Sequence, residues 1–475
     1  MVSEKYYFED GRTTSSYYCA YMDDANVRLC YLFNHPKHEI VKSLMEKFKV
    51  KRMFDICRTP MQRGEQPDYD DKGDVLVVKT IDLNNSHIDY GSCLRTTKEF
   101  FNKVPNAQVK RGDILIASTG YGSLGKVDLF EYEGDAVVDS HITILRPIDN
   151  YDTTFVIYYL RSLFGRLQFE KWFSGSSGQI EIQPNDLNQF IIPESSSRGV
   201  DHKKQIEIVM AVRKKLNIAS ELDRQIDELI MKTETLLLTN LGVGTPIITK
   251  VNYYAHNFVD VKDRLDIEYN NPKYNCIETV ISDSDVNFVE LRDVVDIVVD
   301  ATNPLERPNE PFMYADIGNI DTKWGRISAI EMFGYQATSS RMRRLMHKGE
   351  IVVSTTRPTR NAIAIVPDEL DGGVCSTGLA VLKCKKSIEN KFLFHSLRTT
   401  LSNIQFQKHC SGSGYPEINQ EMDLPRIKIP KPDLPKQKEL IQLLENNIKL
   451  AEKKEADANM LRHEANSIFE EAIMK

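Results

Sequence analysis

The chain has 475 residues, 41% hydrophobic and 27% charged, a composition typical of a globular protein that is too long for a single core. Its net charge of −7 argues against a protein that coats nucleic acid with its whole surface, although local basic clefts stay open. We expect neither a transmembrane helix nor a signal peptide, because the sequence contains no run of ~18 apolar residues and its N-terminus lacks an apolar stretch. The eight cysteines form no CxxC pair, which predicts reduced thiols in a cytoplasmic protein without a zinc site.

The first half of the chain begins with an aromatic-rich segment, residues 1–50, and then alternates strand patterns with helical ones. Short apolar runs next to turn residues predict strands, and aromatic and leucine residues on one face predict a helix over 155–173. The glycine loop 120–126 and the Ser/Gly loop 174–179 lie between these elements. The predicted strands are 75–83, 110–119, 137–145 and 190–193.

Two long helices are predicted, one in the middle of the chain and one at its end. The segment 203–241 contains neither Gly nor Pro, and its apolar residues recur at the spacing of a helix with one apolar stripe. The segment 436–474 carries a similar stripe. A stripe on the order of 55 Å long needs a partner, so we expect the two helices to pack antiparallel and to hold the partner contacts. The stripe residues predicted to make these contacts are Ile226, Leu229, Leu236, Leu440, Leu444, Leu461 and Ile468.

The second half repeats the order of the first. The segment 348–356 corresponds to 111–119, and Gly349 follows Gly112 by 237 residues, an offset that stays nearly constant to the last matched element. The chain is therefore predicted to be a tandem duplication that recognises two similar but non-identical targets a fixed distance apart. The predicted segments are a globular domain at 1–200, a spacer helix at 201–242, a second globular domain at 243–432 and a second spacer helix at 433–475.

The loop Gly120–Val127 has the glycine spacing of a nucleotide-binding motif. Both known versions of that motif need a helix after the loop, whereas the residues that follow predict a strand, and Val127 replaces the Ser or Thr that would bind magnesium. A plain turn between strands is one alternative. We prefer the other, a loop whose Lys126 meets a DNA backbone or base edge.

Loops at matching places in the two halves supply the candidate DNA contacts. The Ser/Gly loops are either ordinary surface loops or sites where backbone N–H groups approach phosphates and neighbouring side chains reach bases. Arginine in the loop after the second-half strand suits bidentate contact with guanine. The candidates are Arg58, Gln62, Arg63, Ser118, Thr119, Tyr121, Lys126, Ser176, Ser177, Gln179, Arg307, Arg357, Thr359, Arg360, Ser411, Ser413 and Tyr415.

The sequence lacks the catalytic motifs that a DNA-modifying enzyme would carry. It contains no (D/N)PP(Y/F) tetrapeptide of an amino-methyltransferase, no HExxH and no GxSxG, and the acidic residues near Pro67 are too closely spaced for a PD-(D/E)xK nuclease. We therefore expect no catalytic residue, no metal ligand and no cofactor site in this chain.

Taken together, these motifs resemble the specificity subunit of a type I restriction–modification enzyme. The resemblance spans the full length and depends on paired segments: KRGDILIAST with KGEIVVSTT, SGSSGQIEI with SGSGYPEI, IIP with IKIP, and an RLDIEY opening at 264–269. The first half lacks a clean version of that opening; Arg12 and Tyr17 are a poor match.

The resemblance implies an α/β (α+β) fold, in which two tandem target-recognition domains are separated by two long antiparallel, coiled-coil-like helices. It implies that the domains grip the two halves of a split DNA sequence. It also implies two methyltransferase subunits that dock on the helices and supply S-adenosylmethionine chemistry. A restriction and translocase subunit can join such a complex. Two alternatives stay open: a methylation-only or other phage-defence complex, and, less favoured, a protein scaffold without a DNA role.

Overall fold

Two units make up the chain in the computed structural model. Unit 1 comprises residues 1–222 and 456–475, and unit 2 comprises residues 223–455. The predicted boundaries of the two domains and two helices stay predictions. The structure describes residues 6–7, 13–14, 33, 35–70, 72–120, 122–176, 179–196, 200–249, 251, 253–255, 261, 264–412 and 414–474.

Unit 1 is a mixture of short strands and helices. Its described strands are β1 (Tyr6–Tyr7), β2 (Thr13–Thr14), β3 (Val50–Arg52), β4 (Gln62–Arg63), β5 (Val75–Val78), β6 (Leu94–Thr96), β7 (Ile114–Ala117), β8 (Val127–Leu129), β9 (Ala136–Val138), β10 (Ile142–Leu145), β11 (Ser174–Ser176), β12 (Gln179–Glu181) and β13 (Ile191–Pro193). Its described helices are α1 (Glu39–Lys47), α2 (Lys98–Lys103), α3 (Thr153–Arg161), α4 (Leu163–Trp172), α5 (Pro184–Leu187) and the first part of α6 (His202–Asn240).

Unit 2 repeats this composition. Its described helices, besides the second part of α6, are α7 (Asn275–Ser282), α8 (Leu291–Val294), α9 (Asn390–Leu397), α10 (Thr400–His409) and the first part of α11 (Leu434–Met474), whose second part belongs to unit 1. Its described strands are β14 (Phe288–Glu290), β15 (Val295–Val298), β16 (Pro311–Ala315), β17 (Ile320–Asp321), β18 (Arg326–Ile327), β19 (Ile330–Phe333), β20 (Met342–Met346), β21 (Ile351–Ser354), β22 (Ile363–Ile365), β23 (Gly373–Ser376), β24 (Leu379–Cys384) and β25 (Lys428–Pro430).

The sheets of the two units have the same design. The central antiparallel sheet has the order β4-β10-β7-β8 in unit 1 and β15-β24-β21-β22 in unit 2. A second sheet has the order β6-β5-β9 in unit 1 and β19-β16-β23-β20 in unit 2, with one parallel pair in each, β5 with β9 and β16 with β23. The register is also shared, since Ile114 pairs with Leu145 and Ile351 with Leu382. The predicted fold class and the duplication are therefore confirmed.

Three predicted elements differ in extent from the structure. The strand expected at 137–145 is two strands in different sheets, β9 and β10, because Asp139 accepts a hydrogen bond from the backbone N–H of His141 and turns the chain between them. The helix expected at 155–173 is α3 and α4, broken at Ser162, whose backbone is extended. The strand expected at 75–83 ends at Val78.

The break between the paired helices is capped from a long helix in both units. In unit 1 the backbone N–H of Leu163, at the start of α4, donates to the Glu470 carboxylate of α11 at 2.7 Å. In unit 2 the backbone N–H of Thr400, at the start of α10, donates to the Glu234 carboxylate of α6 at 2.5 Å. An acidic side chain at a helix N-terminus satisfies a free donor and stabilises the helix dipole.

Buried glutamines fix the same elements in both units. Gln205, at the start of α6, accepts from the backbone N–H of Asp152 and donates to Val200 O. Gln437, in α11, accepts from the backbone N–H of Glu389 and donates to Pro432 O. The first turn of each long helix is thereby bonded to the residue that precedes α3 or α9.

The apolar stripes of the long helices are used inside each unit. In unit 1, Val209 and Val212 of α6 share a core with Phe469 of α11, and Lys215 pairs with Glu464 at 2.6 Å. In unit 2, Lys454 donates to Gln225 at 2.6 Å, and Leu237 shares a core with Leu440 and Leu444. The contacts run in opposite sequence directions, so the segments are antiparallel in each unit.

This packing corrects the prediction of which helix residues face a partner. Ile226, Leu440 and Leu444 are at most 1% exposed, so their side chains are core residues of unit 2. Leu229, Leu236, Leu461 and Ile468 are half-buried. The large apolar side chains that these helices do expose are Ile206, Met210, Ile218, Met231, Leu443, Leu450, Met460 and Met474.

Among the residues that the structure describes, no helix has both the length and the apolar character that crossing a bilayer requires.

Candidate nucleic-acid interface

Two loops of unit 2 that are about 60 residues apart in sequence meet at the end of the central sheet. Loop 356–361 follows β21, and loop 411–417 follows α10. Thr356 and Ser411 both form bridges with Glu417, and the backbone N–H of Arg357 donates to Pro416 O at 2.7 Å. The pairing of these loops places Arg357 beside Tyr415.

Arg357 is held in a defined position. Its backbone is in the left-handed region at φ 49° and ψ 52°, which costs a non-glycine residue roughly 1–3 kcal/mol and is often found at functional sites. Its guanidinium donates to Gly414 O at 3.1 Å and lies 4.6 Å from the centre of the Tyr415 ring. That ring is 72% exposed. The loop therefore presents a fixed cation and an aromatic face to solvent.

The corresponding loops meet in unit 1. Thr119 forms a bridge with Glu181, and the backbone N–H of Gly120 donates to Ile180 O at 2.9 Å. Gly120 has φ 87°, which glycine adopts without strain. Lys126, at the end of the glycine loop, is half-buried. The glycine loop and the β11–β12 hairpin therefore form one surface, as the two loops of unit 2 do.

Two of the predicted contacts belong to the scaffold under these loops. The Ser118 side chain is fully buried, and its hydroxyl lies 2.6 Å from that of Thr143, so it has no surface with which to meet DNA. The Arg63 guanidinium donates to Glu181 and to the carbonyls of Ser118 and Ile182, at 2.9–3.4 Å. Arg63 thus fastens the first loop pair to β4.

The other predicted contacts are distributed over both units. Arg58 is exposed and paired with Asp149, and Arg307 is exposed and 3.5 Å from Glu310. Gln62 is half-buried in β4, Thr359 is half-buried, and Arg360 and Ser411 are exposed. Tyr121, Ser177 and Ser413 lie outside the described residues, as do Arg12, Tyr17 and the side chains of Ser176 and Gln179.

The RLDIEY opening supports the second-unit loops, a role that the motif itself did not indicate. Arg264 donates to the carbonyls of His409 and Cys410 and pairs with Asp266 and Asp423 at 3.0–3.2 Å. These bonds fix the end of α10, where loop 411–417 begins. Burial lowers the pKa of His409 to about 4, although Asp423 lies 3.7 Å away, so this histidine is neutral at neutral pH.

An exposed aromatic pair was missed by sequence reasoning. Phe333 and Tyr335 stack with ring centres 5.9 Å apart and are 41% and 58% exposed. Phe333 is the last residue of β19, at one edge of the second sheet of unit 2, and Tyr335 follows that strand. The available signal was a pair of aromatic residues around Gly334 without a strand or helix pattern to bury them.

The described residues contain no cluster of His, Cys, Asp and Glu side chains that could hold a metal ion. Besides two glutamates, Glu181 and Glu417, the surface formed by the loops offers arginine, lysine, tyrosine, small residues and backbone N–H groups. These groups suit contacts with phosphates and base edges.

Comparison with known proteins identifies relatives for both units. The family model described as type I restriction modification DNA specificity domain matches residues 42–196 and 283–459. The EcoDI specificity subunit of a type I restriction enzyme from Escherichia coli is 24% identical over 189 residues, which is 40% of this chain and 40% of that protein.

Solved structures of similar proteins were also found. The HsdS subunit from Thermoanaerobacter tengcongensis is 16% identical, with 90% of this chain and 96% of that one covered and a TM-score of 0.32. The S subunit of a type-I restriction-modification system from M. genitalium is 12% identical, with coverage of 90% and 96% and a TM-score of 0.38.

Proposed function

Because this chain belongs to the family of type I restriction modification DNA specificity domains, we propose that it is the sequence-reading subunit of a type I restriction–modification complex with a bipartite target. Each unit reads one half of the target. The observation that carries the proposal is the repeated loop pair, which joins Thr119 to Glu181 in unit 1 and Thr356 to Glu417 in unit 2.

The chemistry of the loops suits this role. An arginine fixed by a carbonyl and an aromatic ring can donate two parallel hydrogen bonds to guanine, because its side chain is already ordered. A lysine at a glycine loop suits a phosphate, which gives affinity without sequence information. We assign base reading in the second half-site to Arg357 and Tyr415, and phosphate contact in the first to Lys126.

We further propose that the chain catalyses no reaction. Two methyltransferase subunits, which bind S-adenosylmethionine, dock on the long helices and methylate the DNA, and a restriction subunit completes the complex in the cytoplasm. The exposed apolar side chains of α6 and α11, Met210 and Met231 among them, supply the docking surface. Large apolar side chains exposed on a helix commonly mark such a contact.

The test is methylation in a host that lacks other DNA methyltransferases. The chain is expressed with the methyltransferase encoded beside it, and modified positions are sequenced across the genome. We expect a two-part motif that disappears when the chain is omitted. Methyl transfer from labelled S-adenosylmethionine by the purified chain alone, or an unchanged pattern without it, would contradict the proposal.

We also propose that the long helices set the number of base pairs between the half-sites. Matched four-residue insertions after residues 222 and 456 lengthen α6 and α11 equally and leave the contacts Lys215–Glu464 in unit 1 and Lys454–Gln225 in unit 2 unchanged. The insertions add about 6 Å, which is one to two base pairs at about 3.4 Å each. The methylated motif should keep both halves and gain that spacing, whereas two-residue insertions, which rotate the helix, should abolish methylation. An active four-residue variant with the old spacing would refute this proposal.

A further inference from the structure

Unit 2 contains a half-open cavity of about 580 Å³ between its segments of α6 and α11 and its globular part. Trp324 and Phe394 supply aromatic walls, and Ile230, Ile365 and Ile448 supply aliphatic ones. A volume of several hundred Å³ with an apolar lining and a few polar groups is typical of small-molecule sites. The cavity lies next to loop 356–361, whose last residue, Asn361, is on its wall, but neither Arg357 nor Tyr415 lines it.

One charged side chain at this cavity is held rigidly. The Arg398 guanidinium donates to the carbonyls of Thr322 and Lys323 at 2.8 and 2.9 Å, and to those of Asn361 and Ile363 at 3.2 and 3.3 Å. These bonds use four of its five N–H donors, and the guanidinium also lies 5.2 Å from the centre of the Phe394 ring. Among the residues that the structure describes, it forms no ion pair with a carboxylate, and Asp321 is the acidic residue whose charge it feels. Burial lowers the pKa of Arg398 to about 10, partly offset by the charge of Asp321, so it stays protonated at neutral pH.

The other charged groups on the cavity wall are satisfied within unit 2. Lys391 pairs with Glu445 at 2.5 Å, and Lys323 pairs with Asp227 at 2.8 Å. Glu234 accepts the backbone N–H of Thr400. Burial lowers the pKa of His395 to about 4, helped by the charges of Arg398 and Lys391. The histidine is therefore neutral at neutral pH.

In unit 1 the equivalent arginine has a carboxylate partner. The equivalent residue, Arg161, pairs with the fully buried Asp128 carboxylate at 2.5 Å and donates to Val127 O. In the strand pairs, Leu115 is opposite Asp128 in unit 1.

The equivalent register in unit 2 identifies the missing group. Val352 there is opposite Ala364, so a methyl group stands where unit 1 has the counter-ion. The two copies therefore differ in how the arginine is satisfied: Arg161 pairs with a buried carboxylate, whereas the half-buried Arg398 is bonded to backbone carbonyls and is favoured by the charge of Asp321.

We propose that the cavity of unit 2 binds a small amphipathic anion, whose acidic group pairs with Arg398 and whose apolar body lies against Trp324 and Phe394. The ligand supplies the negative charge that Asp128 supplies in unit 1. Its acidic group is a carboxylate, sulfonate or phosphate, since each accepts hydrogen bonds from a guanidinium.

The test uses the full chain and two fluorescent probes of nearly equal shape, anilinonaphthalene sulfonate, which is an anion, and phenylnaphthylamine, which is neutral. The chain has two tryptophans, so Trp172→Phe leaves Trp324 as the single donor, and energy transfer from it reports binding at the cavity. We expect saturable transfer to the anionic probe with an affinity at least tenfold higher than that for the neutral one. Equal affinity for the two probes, or no transfer, would overturn the proposal.

Two variants test the role of the charge. Ala364→Asp supplies the missing carboxylate, and Arg398→Gln removes the cation but keeps an amide donor for the carbonyls. Each should lower the affinity for the anionic probe at least tenfold and leave that for the neutral probe within twofold. Thermal unfolding identifies a variant that fails to fold, in which case the other variant and the comparison of probes decide. An anionic probe that binds a folded variant as tightly as the parent would refute the role of Arg398.

Discussion

Arg357 is the residue on which base reading in unit 2 can be tested most directly. Sequence placed it in the loop after β21, but its left-handed backbone and its stacking on Tyr415 depend on a second loop more than 50 residues away. Arg357→Ala should relax one base position of one half-site by roughly 1–3 kcal/mol, since a bidentate contact is lost. Sequencing of methylated genomic DNA measures the change.

Arg360 provides the matched control for that substitution. It lies in the same loop and is exposed, but the structure does not fix it against an aromatic ring. Arg360→Ala should weaken binding to all sequences similarly and reduce its salt dependence. Equal loss of specificity in both variants would show that base recognition by Arg357 does not depend on its fixed conformation.

The buried His395 should make the stability of unit 2 depend on pH. Its pKa is about 4 in the folded chain because it is buried beside Arg398 and Lys391, with only Glu445 opposing them, and about 6.5 in an unfolded one. Between these values the unfolded chain binds the proton first, so stability falls as the pH drops from about 6.5 to about 4.

The size of this effect can be measured with one substitution. His395→Gln should reduce the loss of unfolding free energy between pH 7 and pH 5 by about 1–2 kcal/mol, as measured by urea denaturation. His409, whose pKa is also about 4, contributes in the same direction and remains in the variant. Replacement of the exposed His463 by Gln serves as the control. A variant as acid-sensitive as the parent would contradict the assignment to His395.

At the scale of elements, sequence predicted the order of strands and helices better than their ends. The apolar runs that became β7 and β21 were located correctly, because buried strands follow directly from local pattern. The break at Ser162 was missed and the equivalent one at Thr399 was not predictable, since the groups that cap the second helix, Glu470 and Glu234, come from distant segments. Local pattern contains no information about such caps.

Those caps provide a prediction with an internal control. Glu470→Gln should destabilise unit 1, and Glu234→Gln unit 2, by about 0.5–1 kcal/mol each, because an amide keeps the acceptor but loses the interaction of the charge with the helix dipole. Chemical denaturation with unit-specific tryptophans, Trp172 and Trp324, separates the two. A change in both signals from one substitution would mean that the units do not unfold separately.

At the scale of the whole molecule, the duplication was predictable because repeats survive as sequence offsets. The difference between the copies at residue 364 was not predictable from the sequence. Only the strand register shows that Ala364 occupies the position that Asp128 has in unit 1. The apolar stripes of the long helices, and their need for a packing partner, were also predicted from the sequence, but which stripe residues are fully buried was not. Burial of Ile226 and Leu440 depends on packing that periodicity does not define.

The separate cores of the two units predict that specificity is modular. One core holds Phe155, Val212 and Phe469, and another holds Leu237 and Leu440, with no residue in common. Replacement of unit 1 by that of another family member should therefore change one half-site and leave the other intact. Because α11 contributes Phe469 to unit 1, the exchange should include residues 1–222 together with 456–475.

An exchange of residues 1–200 alone tests how far that core extends. This shorter graft leaves the recipient's Val212 and Phe469 against the donor's helices. The hydrogen bond that the backbone N–H of residue 152 donates to Gln205 must then join a donor residue to a recipient one. It should give the same new half-site but a lower melting temperature than the full exchange, because core contacts in a mixed interface are seldom complementary. Genome-wide methylation sequencing gives the half-sites, and thermal unfolding gives the stability. A full exchange that alters both half-sites would mean that neither unit reads DNA independently, since the loops of unit 2 are untouched by it.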